Sequence, residues 1–281
     1  MESSVRRALN ASKDVNPARS DCHWSMTETK LQNMTSCLTG NVNSDTRILV
    51  WGDSHAEAIV QGIPSVLKYS GKAILQMSKT SCPPLYGVSI FRNNYEYVEC
   101  MRYNKSVIDF LKTDSAKSIE TVVLSARWPV YALESGFGIT EKISNSIKYS
   151  IHHNQSNSTG LIAFETGINE TISKILASGK KVQIIASIPE MKFDIPTCVA
   201  RMRLSSLSDL NCSISQTILL NRISVVDEAL LRSASLMKVD IFEPSKFLCS
   251  EALCNISDDN GDLLYSDHNH LSGAGAQWLL K

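Results

Sequence analysis

Two short polar clusters, far apart along the chain, contain residue types that can do chemistry. The first is Gly52–His55, which directly follows the apolar run Ile48–Trp51. The second is Asp267–His270, close to the end of the sequence. A serine hydroxyl is a weak nucleophile until a base takes its proton, and histidine is a common base. The question is therefore whether Ser54 and His270 act together.

Ser54 is expected to lie where a buried strand turns into a helix. Backbone N–H groups at a helix N-terminus favour negative charge, so a serine here can attack a carbonyl while its own N–H helps to hold the oxyanion. Gly52 gives the chain room to turn, and Asp53 can cap the helix or position neighbouring backbone. An ordinary capped turn is the alternative, because Asp and Ser are favoured N-cap residues. We expect His55 to pack or to hydrogen-bond rather than to act as a second base.

Asp267 and His270 lie three residues apart, just before an apolar helix predicted from about residue 274. This spacing allows the carboxylate to meet the imidazole Nδ1–H and leaves Nε2 free for a serine, as in a serine triad. The alternatives are a helix-capping Asp beside a surface His, or a metal site that also uses His268. Three ligands crowded into so short a stretch suit one ion poorly, so we predict no metal site.

The elements that must position these residues alternate between strand and helix. Short apolar segments predict strands at 47–51, 72–77, 120–128, 180–189 and 237–244, and amphipathic segments predict helices at 56–70, 95–113, 161–178 and 216–235. Pro64 should interrupt the first helix. Short buried strands separated by helices are typical of right-handed βαβ units. The sequence therefore predicts an α/β fold, a three-layer α/β/α sandwich around a mainly parallel five-stranded sheet, with sites at the carboxyl ends of its strands.

We expect one catalytic domain over residues 45–281. A polar leader and a small disulfide-stapled extension would occupy residues 1–44. Insertions are predicted near 129–160 and 190–214, and the first, rich in Gly, Ser and Asn, is expected to be irregular. No apolar run reaches the roughly 18 residues of a membrane span, and the first residues lack the apolar core of a signal peptide. A fragment of a longer exported protein is one interpretation.

Charge and cysteine content narrow the class of protein. The chain has 28 basic and 28 acidic residues, so nothing favours a nucleic-acid groove. It has eight cysteines and no C-x-x-C pair, which argues against zinc ribbons and thioredoxin-type sites. An even number of cysteines in loops favours an oxidising compartment. Many connectivities are open; we expect sequence neighbours to pair, as Cys22–Cys37, Cys82–Cys100, Cys198–Cys212 and Cys249–Cys254.

The two polar clusters together resemble a known superfamily. "GDSHA" at the first strand and "DHNHLS" near the C-terminus are similar to the motifs of SGNH (GDSL-type) hydrolases, whose fold is flavodoxin-like. With "KTSCPPL" and "LSARW", the chain from Cys22 onward resembles the extracytoplasmic SGNH domain fused to acyltransferase-3 membrane domains in bacterial polysaccharide O-acetyltransferases. The resemblance implies that Ser54 is the nucleophile, His270 the base and Asp267 its orienting partner.

The chain departs from the superfamily at the oxyanion hole. The G-x-N-D block, which supplies an oxyanion Asn, is missing, and Ser125–Trp128 follows the third strand instead. Arg127 is a candidate for charge toward an oxyanion or sugar, and Trp128 for a stacking face against a sugar ring; bracing of the loop is the alternative for both. The candidates for oxyanion or substrate binding are therefore Gly52, Asp53, Arg127 and Trp128.

Three functions are compatible with these residues. The resemblance favours O-acetyl transfer to a sugar hydroxyl of a surface polysaccharide, such as lipopolysaccharide. A carbohydrate O-acetylesterase, with water as acceptor, is the alternative, and a non-catalytic glycan-binding remnant is a third. The chain has no basic cluster or Gly-rich loop for CoA phosphates, so we expect no bound cofactor. The resemblance implies that an N-terminal acyltransferase-3 membrane domain supplies the acyl group, and that this is a periplasmic domain of an inner-membrane protein.

Overall fold

The computed structural model describes residues 2–28, 37–66, 69, 71–92, 95–138, 145–151, 154–205 and 211–281. Its helices are α1 Glu2–Asn10, α2 Arg19–Cys22, α3 Ser54–Ile59, α4 Val98–Leu111, α5 Trp128–Ala132, α6 Gly160–Ala177, α7 Ile195–Ser205, α8 Gln216–Met237, α9 Ser245–Leu248 and α10 Gly273–Leu279. Its strands are β1 His23–Trp24, β2 Leu38–Gly40, β3 Arg47–Gly52, β4 Ala73–Lys79, β5 Val88–Arg92, β6 Tyr95–Glu96, β7 Ile119–Ser125, β8 Asn145–Ile151, β9 Asn154–Thr159, β10 Lys181–Ile185 and β11 Asp240–Phe242. None of the helices in these ranges combines the length and apolar character that a bilayer crossing requires.

Over the described residues, the main sheet has seven strands rather than the predicted five. Its order is β1-β4-β3-β7-β10-β11, all parallel, and β2 pairs antiparallel with the amino-terminal part of β4. The five predicted strands are β3, β4, β7, β10 and β11. Prediction missed β1 and β2 because strands of two and three residues are too short to show a periodic pattern. The fold class, α/β with a mainly parallel sheet, is confirmed.

Both faces of the main sheet are covered, because both sets of side chains on its central strand are apolar. In β3, Leu49 and Trp51 join one buried cluster, with residues of α4, α6 and α8. Ile48 and Val50 join a second cluster on the opposite face, with residues of α3 and the C-terminal segment. Successive side chains of a strand point to opposite faces, so a continuous apolar run requires a layer on each side. This is the predicted three-layer sandwich.

The helix after β3 is short, as the proline in its sequence predicts. α3 ends at Ile59, and the chain continues as a 3-10 turn over Ile63–Ser65 with Pro64 near its start. A proline inside a longer helix would remove a hydrogen bond and clash with the preceding turn. The shortened helix leaves Ser54 in the first turn of a small element next to the sheet edge.

Part of a second sheet is built from a stretch that was expected to be irregular. Its four antiparallel strands run in the order β6-β5-β8-β9, and β8 and β9 come from the predicted insertion near 129–160. The expectation of irregular structure there is wrong. The alternation of Ile147, Tyr149 and Ile151 in the sequence is a strand signal, although the surrounding Asn and Ser residues obscure it.

All four predicted disulfides are present: Cys22–Cys37, Cys82–Cys100, Cys198–Cys212 and Cys249–Cys254. The first joins the end of α2 to the residue before β2, so it ties together the two segments that bring β1 and β2 to the edge of β4. The domain boundary predicted at residue 44 stays a prediction.

Candidate active site

Ser54, His270 and Asp267 form a continuous row of hydrogen bonds at the carboxyl edge of the main sheet. The Ser54 hydroxyl Oγ lies 2.8 Å from Nε2 of His270. The other ring nitrogen of His270, Nδ1, lies 2.6 Å from Oδ2 of Asp267. Ser54 begins α3, separated from the end of β3 only by Asp53, whereas the other two residues lie in the loop before α10. The fold thus brings together two clusters that are 216 positions apart in sequence.

The Asp267 carboxylate is held by backbone as well as by the imidazole. Its Oδ1 accepts the N–H of Asn269 at 2.7 Å and the N–H of His270 at 2.8 Å. Burial alone would raise the pKa of Asp267, but the hydrogen bond from the His270 ring, the charge of that ring and the two N–H groups hold it below its usual range. An ionised, oriented carboxylate on Nδ1 fixes the tautomer that leaves Nε2 to accept a proton from serine.

Asp53 fastens the turn that presents Ser54. It is the N-cap of α3, and its Oδ1 accepts the N–H of His55 at 2.8 Å. Its Oδ2 accepts the N–H of Arg127 at 3.0 Å and the hydroxyl of Tyr131 at 2.8 Å. Burial raises the pKa of Asp53 even though these donors favour its ionised form. A carboxylate that only accepts hydrogen bonds cannot donate one to an oxyanion, so the structure places Asp53 in the frame of the site.

Gly52 is required by the close approach of two strands. A Cβ at this position would lie 1.7 Å from the carbonyl oxygen of Ser125 on β7 and 2.9 Å from Cβ of Ala56. Any side chain would therefore push β3 away from β7 directly below the Ser54 turn. The role of Gly52 in this structure is steric.

Trp128 does not offer a face to a sugar, and this part of the prediction is wrong. Its side chain is fully buried, its Nε1–H donates to the carbonyl of Ile185 at 2.8 Å, and its ring packs edge-on against Phe164 with centroids 5.9 Å apart. The physical reason is its place as the first residue of α5, where it turns inward between α6 and the sheet. It braces the loop, which was the alternative interpretation.

Arg127 lines the site, and its guanidinium binds a buried carboxylate. Its Nε donates to Oε1 of Glu190 at 2.6 Å, and the other oxygen of this buried carboxylate accepts Nε of Arg222 at 2.7 Å. Arg222 also donates to the backbone carbonyl of Ser135 at 2.7 Å. This buried cluster fixes the Arg127 backbone, whose N–H binds Asp53.

His55 connects the two polar clusters and is unsuited to be a base. It is buried, and its Nε2 lies 2.8 Å from Oδ1 of Asn269, between Asp267 and His270 in sequence. Burial, followed by the charges of His270 and Arg127, lowers the pKa of His55 to about 3. The neutral ring is a structural link, as the sequence predicted.

A cavity of about 230 Å³ opens above Ser54 and His270. Several of its lining residues were not predicted from the sequence, among them Arg19, Arg92, Ser81 and Asn269. Arg19 precedes β1 and Arg92 ends β5, so both arrive from elements that the sequence pattern did not reveal. Ser81 has a positive φ of 53°, rare outside glycine, and no sequence signal marks it. Among the described residues there is no group of three or more His, Cys, Asp and Glu side chains that could hold a metal ion.

Comparison with known proteins gives a family and a set of similar structures. The family described as "SGNH domain (fused to AT3 domains)" matches residues 21–281. The chain is similar to the periplasmic domain of a lipopolysaccharide acetyltransferase from Salmonella ser. Paratyphi A, with a TM-score of 0.64, 20% identity, and coverage of 98% of this chain and 93% of that one. A weaker similarity joins it to the aryl esterase of M. smegmatis, with a TM-score of 0.47, 11% identity, and coverage of 84% of this chain and 94% of the esterase. No curated protein sequence matches the chain.

Proposed function

Because the chain belongs to the family of SGNH domains fused to AT3 domains, we propose that it transfers an acetyl group to a sugar hydroxyl of a surface polysaccharide. The single observation that carries this proposal is the row of hydrogen bonds from Asp267 through His270 to Ser54. In this proposal Ser54 is the nucleophile, His270 the general base and acid, and Asp267 the residue that orients the imidazole.

The first half of the reaction forms an acetyl-serine. As the Ser54 oxygen attacks the carbonyl carbon of the donor, its proton passes to Nε2 of His270, and the carboxylate of Asp267 stabilises the imidazolium that results. The tetrahedral intermediate collapses, the bond to the leaving group breaks, and that group takes the proton from His270. The acetyl group is then held as an ester on Ser54.

The second half passes the acetyl group to the acceptor. A sugar hydroxyl gives its proton to the neutral His270 and attacks the acetyl-serine. When the second intermediate collapses, the Ser54 oxygen recovers the proton, and the sugar leaves as an acetyl ester. With water in place of the sugar, the same steps release acetate, which is the esterase alternative. The difference between the two activities lies only in which hydroxyl occupies the cavity.

The oxyanion of each intermediate needs hydrogen-bond donors. The Ser54 N–H belongs to the first turn of α3, where backbone N–H groups have no intrahelical acceptor. We assign the Ser81 backbone N–H as a second donor, because Ser81 lines the same cavity and is held in a left-handed conformation. Strained backbone of this kind is a reason to suspect a functional role.

The family supports a proposal for the acyl donor and for the location of the chain. Domains of this family are fused to AT3 domains, and we propose that such a membrane domain delivers the acetyl group to Ser54 outside the cytoplasm. The four disulfides fit an oxidising compartment such as the periplasm. This chain on its own then hydrolyses activated acetyl esters slowly and cannot use acetyl-CoA.

The test compares the isolated chain with the same chain joined to its AT3 domain in membrane vesicles. Each is offered acetyl-CoA and a polysaccharide acceptor, and the mass of the glycan is followed. The proposal predicts glycan acetylation only by the joined protein, lost in Ser54→Ala and kept in Ser235→Ala, a change at an exposed serine on α8. Efficient acetylation by the isolated chain would overturn the donor scheme. Release of acetate from an acetylated glycan, without transfer, would favour the esterase.

A further inference from the structure

The cavity at Ser54 carries an excess of positive charge that the reaction itself does not use. Of the described residues, three arginines line it: Arg19, Arg92 and Arg127. Asp53 is the carboxylate among the lining residues, and it is buried and occupied by its three hydrogen bonds. An acetyl ester and a neutral hydroxyl need no such charge.

Two of the three arginines bind buried carboxylates. Nη1 of Arg19 lies 2.9 Å from Oε2 of Glu57, whose side chain is fully buried on α3. Arg127 binds Glu190, also fully buried. Glu57 balances the charge of Arg19, whereas Glu190 is shared between Arg127 and Arg222. In both cases the guanidinium that lines the cavity is held in place by a carboxylate partner.

Arg92 differs from the other two. Within the described part of the chain, no hydrogen bond or ion pair joins its guanidinium to another side chain, and the side chain is partly buried where it lines the cavity. Its backbone is fixed, because it ends β5 and pairs with Tyr95 of β6 and Asn145 of β8. Among the residues that the structure describes, the second sheet therefore places at the cavity a guanidinium that has no side-chain partner.

From this arrangement we infer that Arg92 binds an anionic group on the acceptor, so that the glycan acetylated at Ser54 contains an acidic sugar. The inference rests on the proposed function and adds the class of its substrate. A guanidinium presents a planar fork of N–H donors that matches a carboxylate or a phosphate in a bidentate manner. Both groups occur on sugars as a uronic acid or a sugar phosphate, and the shared chemistry is an anion close to the reacting hydroxyl.

The experiment measures kcat/KM for deacetylation of three methyl glycosides by the isolated chain. The three carry an acetyl group at the same hydroxyl and differ in being a neutral hexoside, a hexuronide or a hexoside phosphate. Loss of one charge-assisted hydrogen bond is worth about 10- to 100-fold. Wild type should prefer at least one anionic ester to the neutral ester by about that factor. The preferred anion identifies the acceptor as a uronic acid or a sugar phosphate.

Substitutions assign the preference to Arg92. Arg92→Gln should bring the ratio of anionic to neutral kcat/KM close to unity, and Arg92→Lys should restore part of it, because lysine keeps the charge without the fork. Arg102→Gln, an exposed arginine on α4 outside the cavity, should keep the wild-type ratio. A wild-type ratio near unity, or a ratio that Arg92→Gln does not change, would overturn the inference.

Failure of the inference is distinguishable from failure of the proposed function. If Ser54→Ala still deacetylates the three esters, the proposed nucleophile is wrong whatever the ratio. If Ser54 is required and the ratio is near unity, only the assignment of Arg92 fails. Binding of the three unacetylated glycosides to Ser54→Ala, followed by NMR titration, makes the same comparison without turnover. Equal dissociation constants for neutral and anionic glycosides would contradict the assignment.

Discussion

Acidification from pH 7 to pH 5 is expected to destabilise the fold through two histidines, the buried His55 and the half-buried His23. His55 is bound through Nε2 to Asn269 at 2.8 Å. The ring of His23 lies between two hydroxyls, with Nδ1 2.9 Å from Ser78 Oγ and Nε2 3.0 Å from Thr80 Oγ1. Neither ring has a carboxylate as hydrogen-bond partner among the described residues. The charged form of each ring is therefore disfavoured in the folded protein.

The size of the effect follows from the two pKa values. Burial, followed by the charge of Arg19, lowers the pKa of His23 from 6.5 to about 4, and burial lowers that of His55 to about 3. Below pH 6.5 the unfolded chain therefore binds more protons than the folded one. The stabilisation is complete above pH 6.5 and is lost as the pH falls toward the folded pKa, about 4 for His23 and about 3 for His55. Linkage gives a loss of about 2 kcal/mol for each histidine between pH 7 and pH 5.

Buried carboxyl groups act in the opposite direction over the same range. Burial raises the pKa of Asp227 to about 6, so the folded protein takes up this proton before the unfolded chain does, and stability rises by about 1 kcal/mol between pH 7 and pH 5. Burial raises the pKa values of Asp53 and Glu57 in the same sense. The contribution of the histidines must therefore be read from variants and not from the wild-type curve alone.

The assay is urea unfolding of wild type, His23→Gln and His55→Gln at pH 7 and pH 5. Each variant should be less stable than wild type at pH 7, because it loses hydrogen bonds. Each should then lose about 2 kcal/mol less than wild type on acidification. Arg102→Gln serves as a control with the wild-type pH dependence. If the two histidine variants lose as much stability as wild type between the two pH values, the reasoning from burial is refuted.

Three further predictions concern the frame of the site. Gly52→Ala should lower the free energy of unfolding by about 3 kcal/mol or more, because the new Cβ would lie 1.7 Å from the carbonyl oxygen of Ser125. Calorimetry measures this as a lower Tm, and an unchanged Tm would contradict the prediction. Glu190→Gln should lower the free energy of unfolding by about 3–5 kcal/mol, because it leaves two buried guanidinium groups without their carboxylate. A free energy of unfolding in urea close to that of wild type would refute this. Replacing both Cys22 and Cys37 by Ala should lower the free energy of unfolding by about 3 kcal/mol, because the disulfide no longer restricts the unfolded chain. The shift in the midpoint of urea unfolding measures this, and an unchanged midpoint would contradict the prediction.

The parts of the fold that the sequence predicts are those with a strong local pattern. The run Ile48–Trp51 is apolar at every position, which requires a strand covered on both faces, and Pro64 ends the helix that follows. The strand β1 has two residues and β2 has three, so neither shows a period. Their place in the sheet depends on pairing with β4, a long-range contact that no local pattern encodes.

The residues of the candidate site also differ in whether a local sequence pattern reveals them. Ser54, Asp267 and His270 are recognisable because their chemistry and spacing are specific. Trp128 was misjudged because sequence cannot tell whether an aromatic ring after a strand turns inward or outward. Arg19 and Arg92 could not be predicted, because they reach the cavity from the N-terminal segment and from the second sheet. When the element that carries a residue is not predicted, nothing in the sequence indicates that the residue belongs to the site.

The claim that Ser54 is the nucleophile is tested most directly by the mass of the intact protein. The isolated chain is mixed with an activated acetyl ester, quenched in acid, and analysed with fragmentation to locate the modification. We predict one acetyl group on Ser54 in wild type, none in Ser54→Ala, and formation slowed by orders of magnitude in His270→Ala, because the base is lost. Acetylation of Ser54→Ala at the wild-type rate, or ester turnover that proceeds without Ser54, would contradict the account.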